Sequence, residues 1–169
     1  MKSVLITGAS QGTGYAIAQR FAEEGYHVFI TGRDKSRGDA AAQALQQRYG
    51  IVTKAYETTA FDQQEVSAIF TDLENNGYLL DAIVLNAANL GIGQDSLTVS
   101  AEDFLGVYQI NVLWNFLMAR EAAKQMRQKG KGSVVFITSN SALRVTENRC
   151  AYCSSKSAIN AMSKSFAVD

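Results

Sequence analysis

The chain of 169 residues is long enough for one domain with a real core, and 16 Lys+Arg against 16 Asp+Glu leave no net charge. That balance excludes a broad basic face for nucleic acid. Two cysteines are too few for a disulfide framework, and no apolar run approaches membrane-spanning length.

Ser3 to Ala18 reads as a strand, a glycine turn and a helix. Val4, Leu5 and Ile6 form a short buried strand, too brief after Met1-Lys2 to be an export signal. The expectation is a soluble, cytoplasmic protein. Gly8, Gly12 and Gly14 then break the strand, and a helix follows with Ile17 and Phe21 one turn apart. Such a turn gathers backbone N–H groups at the positive end of a helix dipole, a place that attracts phosphate. One glycine serves the tight turn, one the close approach of a pyrophosphate and one the helix-on-strand packing. The spacing is Gly-x-x-x-Gly-x-Gly, wider than the commoner Gly-x-Gly-x-x-Gly. Taken alone, it also reads as a glycine-rich β–α turn without a ligand.

Gly25 sits where a helix C-cap belongs, and His27 to Thr31 form the second strand. The next helix runs through Ala40, Ala44, Leu45 and Tyr49 to Gly50, and Ile51 to Thr58 is a third strand of weaker alternation. Val66, Ile69, Phe70 and Leu73 mark a third helix, stopped by Asn75-Asn76-Gly77. Ala82 to Ala87 is a near-continuous apolar strand. A loop leads to Ser100-Ala101-Glu102-Asp103, which has the form of a capping box, and a long helical stretch with room for one break reaches Lys129. Ser133 to Thr138 is the fifth strand, and the last helix begins near Tyr152. Prolines are absent, where about eight would match average usage.

Strands alternating with helices, and apolar on both faces, imply a single α/β domain over residues 1–169: a Rossmann-like, doubly wound parallel sheet with helices on both sides. Ligands of such sheets bind at the carboxyl ends of the strands, where strand order reverses. Polar residues gather there: Thr7-Gly8, Gly32-Arg33, Asp62, Asn86 and Ser139 each follow or end a strand.

The run Thr7-Gly8-Ala9-Ser10-Gln11-Gly12-Thr13-Gly14 resembles the cofactor motif of the short-chain dehydrogenase/reductase family, in its single-domain branch. The match continues through Asp62, Asn86-Ala87-Ala88, Asn111, Ser139 and Tyr152-x-x-x-Lys156, and so covers essentially the whole chain. Tyr152 and Lys156 lie four apart, on one face of a helix. A phenol is a poor proton donor-acceptor at neutral pH, and a neighbouring ammonium favours its ionised form. The resemblance implies an oxidoreductase that moves hydride between a nicotinamide cofactor and a ketone or secondary alcohol. Tyr152 would be the acid/base and Lys156 its tuner and a holder of the nicotinamide ribose. Ser139 would bond the substrate oxygen, and Asn111 would anchor a water joining Lys156 to solvent. Ile159, Met162 and Phe166 supply a separate core face for that helix.

Cofactor choice turns on the end of the second strand. An NAD enzyme places an acid there, whereas this chain has Gly32, then Arg33, with Lys35 and Arg37 close by. A guanidinium forks onto a 2′-phosphate, so NADP is favoured over NAD, although Arg33 also reads as a plain surface charge. Asp62 resembles the family's adenine-binding acid and is an equally good N-cap for the third helix.

Two departures from the family stand out. Its Asn-Asn-Ala-Gly is Leu85-Asn86-Ala87-Ala88 here, and a methyl at Ala88 narrows the approach to the cofactor ribose. The chain also stops at Asp169 inside the last helix, while the family continues with further strands and a substrate-covering segment. The last strands of the family fold are then absent, leaving Ser133–Thr138 at a sheet edge. A nucleotide-binding remnant without turnover is therefore the alternative to an active reductase. Cys150 and Cys153 flank Tyr152 as Cys-x-x-Cys, so a thiol redox protein is a third reading. No second cysteine pair or paired histidine completes a metal site, and His27 and Trp114 read as structural. The expected partners are a small carbonyl or alcohol substrate, neither nucleic acid nor membrane, and further copies of the chain in a homo-oligomer built on the helices Asn111–Lys129 and Tyr152–Val168. Leu143 and Val145, in a loop that would line the pocket, suit a partly apolar ligand.

Overall fold

The computed structural model describes all 169 residues. In chain order the elements are β1 (Ser3–Ile6), α1 (Gly12–Glu23), β2 (His27–Gly32), α2 (Lys35–Tyr49), β3 (Thr53–Glu57), α3 (Gln63–Asn75) and β4 (Ala82–Leu85). A helical stretch then runs as α4 (Ala101–Tyr108), a π-helical segment at Gln109–Trp114 and α5 (Asn115–Lys129). β5 (Ser133–Phe136), a 3-10 turn at Asn140–Ala142 and α6 (Cys150–Val168) complete the chain. All strand pairs are parallel, in the order β3-β2-β1-β4-β5. Strand order therefore reverses between β1 and β4, which places the ligand crevice above their carboxyl ends.

The strand residues explain why both faces are covered. Val4 and Ile6, with Val28, Ile30, Ala82 and Val84, form one core with the small residues of α1 and α2. Leu5, Phe29, Ile83 and Leu85 point the other way and pack against α3 and α5, with Trp114 in the same core. Every other residue turns to the opposite face, as the pleat requires. Each fully buried aliphatic contributes roughly 1.5–3 kcal/mol.

Several boundaries and faces differ from the sequence reading. The buried face of α1 is Gly14, Ala18 and Ala22, while Ile17 and Phe21 are only half-buried at its flanks. Small side chains let this helix sit close on the sheet. In α2 the buried face is Gly38, Ala41, Ala42 and Leu45, and Ala40 and Ala44 face solvent. A Cβ on Gly38 would stand 3.2 Å from that of Ala55, so the contact with β3 selects this face among several alanines. β3 and β5 are shorter than their apolar runs. β4 ends at Leu85 because Asn86 turns its N–H to Thr7 Oγ1 (2.9 Å). α6 starts at Cys150, two residues before Tyr152. β5 is the sheet edge, with Val135 42% exposed. His27 Nδ1 accepts from the Val52 N–H (3.1 Å), and Trp114 packs edge-on to Phe61.

At the opposite end of the sheet Asp81 ties three elements together. Its Oδ2 accepts from the Ser3 N–H (2.9 Å) at the start of β1, and its Oδ1 pairs with Lys129 Nζ (2.7 Å) at the end of α5. Its backbone carbonyl accepts from the Ser133 N–H at the start of β5 (3.0 Å). Burial pushes the Asp81 carboxyl up, but the bonds from Lys129 and Ser3 outweigh it and hold the group below the ordinary carboxylate range. A depressed carboxylate stabilises the fold above its unfolded pKa of about 3.9, and that contribution is lost as pH falls through its folded value. Asp81→Asn should cost about 1–3 kcal/mol in urea unfolding near neutral pH. The deficit relative to the parent chain should shrink as the titrations are repeated in increasingly acid buffer.

Candidate active site

The crevice over β1 and β4 is a cleft of about 730 Å³. One wall is the glycine turn, Gly8 to Gly14, and the other is Asn86 to Leu90 with Ile110. Gly32, Arg33, Asp34 and Arg37 close one end, together with Thr58 and Phe61. The turn is held from beneath. Thr7 Oγ1 accepts from the N–H groups of both Asn86 and Ala87 (2.9 Å each), and Asn86 Nδ2 donates to the carbonyls of Thr7 (3.0 Å) and Gly8 (3.1 Å). The Asn86 side chain therefore braces the loop while the residue also lines the cleft.

The glycines fit a pyrophosphate cradle. Gly8 and Gly12 take positive φ, +64° and +59°. At Gly14 a Cβ would meet Gly8 O at 2.5 Å, Asn86 Nδ2 at 2.6 Å and Ala9 Cα at 2.8 Å, so no other residue fits without moving backbone. The N-cap of α1, Gln11, makes no side-chain cap. The N–H groups of Gly12, Thr13 and Gly14 consequently find no acceptor in the protein and point, with the helix dipole, at the cleft. α2, α3 and α4 are capped by Asp34, Asp62 and Ser100.

Asp34 is committed twice, accepting from the Arg37 N–H (2.9 Å) and pairing with the Arg37 guanidinium at 3.4 Å. Arg37 Nη1 also donates to Gln11 Oε1 (2.8 Å). Arg33 is exposed at the tip of β2 and makes no side-chain hydrogen bond to the protein. Asp62, expected as an adenine contact or a cap, has Oδ1 accepting from the Glu65 N–H (2.9 Å); Phe61 and Thr58, not Asp62, line the cleft there. Ser10 lies against Gly32, where a Cβ would stand 3.0 Å from Ser10 Oγ. Ala88 is exposed on the cleft wall.

At the other end, α6 carries half-buried Tyr152 and buried Lys156. Lys156 Nζ donates to Ile137 O (2.8 Å), just past β5, and stands 5.8 Å from the centroid of the Tyr152 ring. Burial alone pushes the Lys156 ammonium below its ordinary value. Thr138 Oγ1 donates to Lys156 O (3.3 Å) and Ser157 Oγ to Ala142 O (2.9 Å), fastening the strand end and the following turn to this helix. Ser139, the N-cap of that turn, accepts from the Ser141 N–H (3.1 Å). A small cavity beside Tyr152 is lined by Leu90, Ile92 and Arg149 among others, and Leu90 belongs to both this cavity and the larger cleft. Leu90 thus links the glycine cleft to the cavity that Tyr152 lines.

Asn111 does not reach Lys156. It is fully buried, with Oδ1 accepting from the Asn89 N–H (2.7 Å) and Nδ2 donating to Asn89 O and Ser155 Oγ (2.9 Å each). Its side-chain amide bonds to Asn89 and Ser155. Three residues that sequence reasoning passed over, Asn89, Ser155 and Asn115, share this network; no spacing signal marks them. Cys150 is exposed and Cys153 buried, both as free thiols. No helix is long and apolar enough to cross a membrane.

Comparison with known proteins agrees with this geometry. The short chain dehydrogenase family model matches residues 2–169. The 3-oxoacyl-(acyl-carrier-protein) reductase FabG of Rickettsia bellii is 34% identical over 99% of this chain and 66% of its own length. The 3beta-hydroxysteroid dehydrogenase of Mediterraneibacter gnavus is 31% identical over 99% of this chain and 60% of its own. The chain therefore spans less than two thirds of the length of these relatives. Among solved structures, L-sorbose reductase of Gluconobacter frateurii, complexed with NADPH and L-sorbose, superposes with TM-score 0.93 at 26% identity, over 99% of this chain and 63% of that one. With its glycine turn, its Tyr-x-x-x-Lys helix and its sheet order all in place, the chain belongs to the short chain dehydrogenase family.

Proposed function

We propose that the chain is an oxidoreductase that uses NADP(H) to interconvert a ketone and a secondary alcohol. The observation that supports this reading best is the buried Lys156 ammonium beside the Tyr152 ring, on a helix that lines a cavity sharing Leu90 with the glycine cleft. A bound nicotinamide supplies or accepts the hydride. Tyr152 gives its phenolic proton to the carbonyl oxygen in reduction and takes it back in oxidation. Lys156, fixed by Ile137 O, keeps positive charge beside the phenol as the proton leaves. Ser139, three residues beyond β5, is the residue assigned in this reading to hold the substrate oxygen. Gly12, Thr13 and Gly14 present their N–H groups to a pyrophosphate. Exposed Leu105 and Leu113 along the central helix support a homo-oligomer formed through that face. The test is consumption of NADPH, followed at the nicotinamide absorbance band, across a panel of ketones; no oxidation by any member would count against it.

The preference for NADP rests on Arg33. Its guanidinium is free of protein partners, Asp34 is occupied by Arg37, and Ser10 crowds the place where an NAD-binding acid would stand. An ionic fork onto a 2′-phosphate contributes about 1.5–3 kcal/mol. Arg33→Ala should therefore weaken NADP binding by roughly ten- to a hundredfold in calorimetry and leave NAD binding nearly unchanged. Equal losses for both cofactors would remove the basis for the preference.

A further inference from the structure

We propose that Asn115 and Ser155 are positioning residues that hold Tyr152 and the wall of the cofactor cleft in one register. The proposal rests on the reading that Tyr152 carries the proton.

The central helix changes to π geometry at Gln109–Trp114, a segment that contains Asn111. The Asn115 backbone N–H goes to Val112 O, and the Asn115 side chain takes up the Asn111 carbonyl instead, with Nδ2 donating at 2.9 Å. Asn111, so fixed, clamps both the N–H and the carbonyl of Asn89, a residue of the cleft wall. It also donates to Ser155 Oγ, which in turn donates to Tyr152 O at 2.7 Å. One continuous chain of bonds thus runs from the π segment to the loop after β4 and to the turn of α6 that carries the phenol. Asn115 and Ser155 are both completely buried.

The stability cost separates this role from simple packing. Asn115 Oδ1 is buried without any donor, an arrangement that destabilises a fold. A leucine of similar shape would remove that orphan. If Asn115 served only the core, Asn115→Leu would alter stability alone and leave Asn89 exchange and kcat as in the parent chain.

The experiment compares the parent chain with Asn115→Leu and Ser155→Ala by urea unfolding, amide hydrogen exchange and steady-state kinetics across pH with NADPH and a ketone. Asn115→Leu removes the Oδ1 orphan but leaves the Asn111 carbonyl without its side-chain donor, so its urea midpoint should stay close to that of the parent chain. Exchange of the Asn89 amide should nonetheless accelerate by about tenfold in both variants. Their kcat should fall by roughly ten- to a hundredfold with KM for the cofactor moved much less, and the pH–rate profile should shift relative to the parent chain. Unchanged Asn89 exchange in Asn115→Leu overturns the proposal, and so does faster exchange with kcat within about twofold of the parent. A parent chain without turnover, whose variants still show the faster exchange, supports the brace and overturns only the oxidoreductase reading.

Discussion

Tyr152→Phe should abolish turnover while leaving the cofactor bound. A positioned acid/base contributes about 10²–10⁴ in rate, and the substitution removes only the oxygen that holds the proton. The ring itself stays, and so does its packing beside Lys156, whose ammonium is anchored independently by Ile137 O at 2.8 Å. NADPH titrated calorimetrically into the variant should therefore bind within about threefold of the parent affinity. Substrate-dependent loss of nicotinamide absorbance should drop at least about a hundredfold. A variant that kept most of its rate would move the proton chemistry elsewhere, to Ser139 or to solvent. Alkylation of the exposed Cys150 gives a parallel control on the thiol reading, which requires the modified protein to lose its activity by that route.

The second large effect is expected at Gly14. Its α-carbon lies where a methyl would collide with Gly8 O, Asn86 Nδ2 and Ala9 Cα, two of which are main-chain atoms that cannot rotate away. Gly14→Ala must push α1 off the turn or break the bonds from Asn86 to the carbonyls of Thr7 and Gly8. Overpacking of this kind costs about 1–3 kcal/mol. It also moves the free N–H groups of Gly12, Thr13 and Gly14 away from their common focus. NADP affinity should fall by on the order of a hundredfold, and the urea midpoint should fall with it. Gly106→Ala is the control, because nothing lies within 4 Å of the added carbon and alanine favours a helix. If Gly14→Ala bound NADP like the parent chain, the glycine turn would not be the phosphate site.

The sheet was legible in the sequence wherever a strand is buried on both faces. β1, β2 and β4 are runs of Val, Leu, Ile and Phe, and burial leaves such runs no alternative. β3 and β5 lie at or near the edges, where half-exposed residues such as Val135 blur the pattern and the apolar run overshoots the strand. Helix faces were legible when a large residue marked them, as with Val66, Ile69, Phe70 and Leu73 in α3. In α1 and α2 the buried faces are alanine and glycine, and only contact with the sheet distinguishes one alanine from the next. The candidate site shows the same division. Gly8, Gly12, Gly14, Tyr152 and Lys156 could be found because backbone geometry and helical spacing dictate them. The local cap of α3 by Asp62 was legible too, whereas the loop brace made by Asn86 and the Asn115–Asn111–Ser155 chain depend on which partners tertiary folding brings together. The π segment has no sequence signal of its own, since one widened turn leaves the apolar periodicity on either side intact.

The position of a bound dinucleotide decides between an oxidoreductase and a bare fold. Crystals of the chain soaked with NADP should show the pyrophosphate on the N–H groups of Gly12, Thr13 and Gly14, the 2′-phosphate against Arg33 and the nicotinamide facing the Tyr152 hydroxyl. A soaked crystal with an empty glycine cleft, or with the nicotinamide turned away from Tyr152, would contradict it.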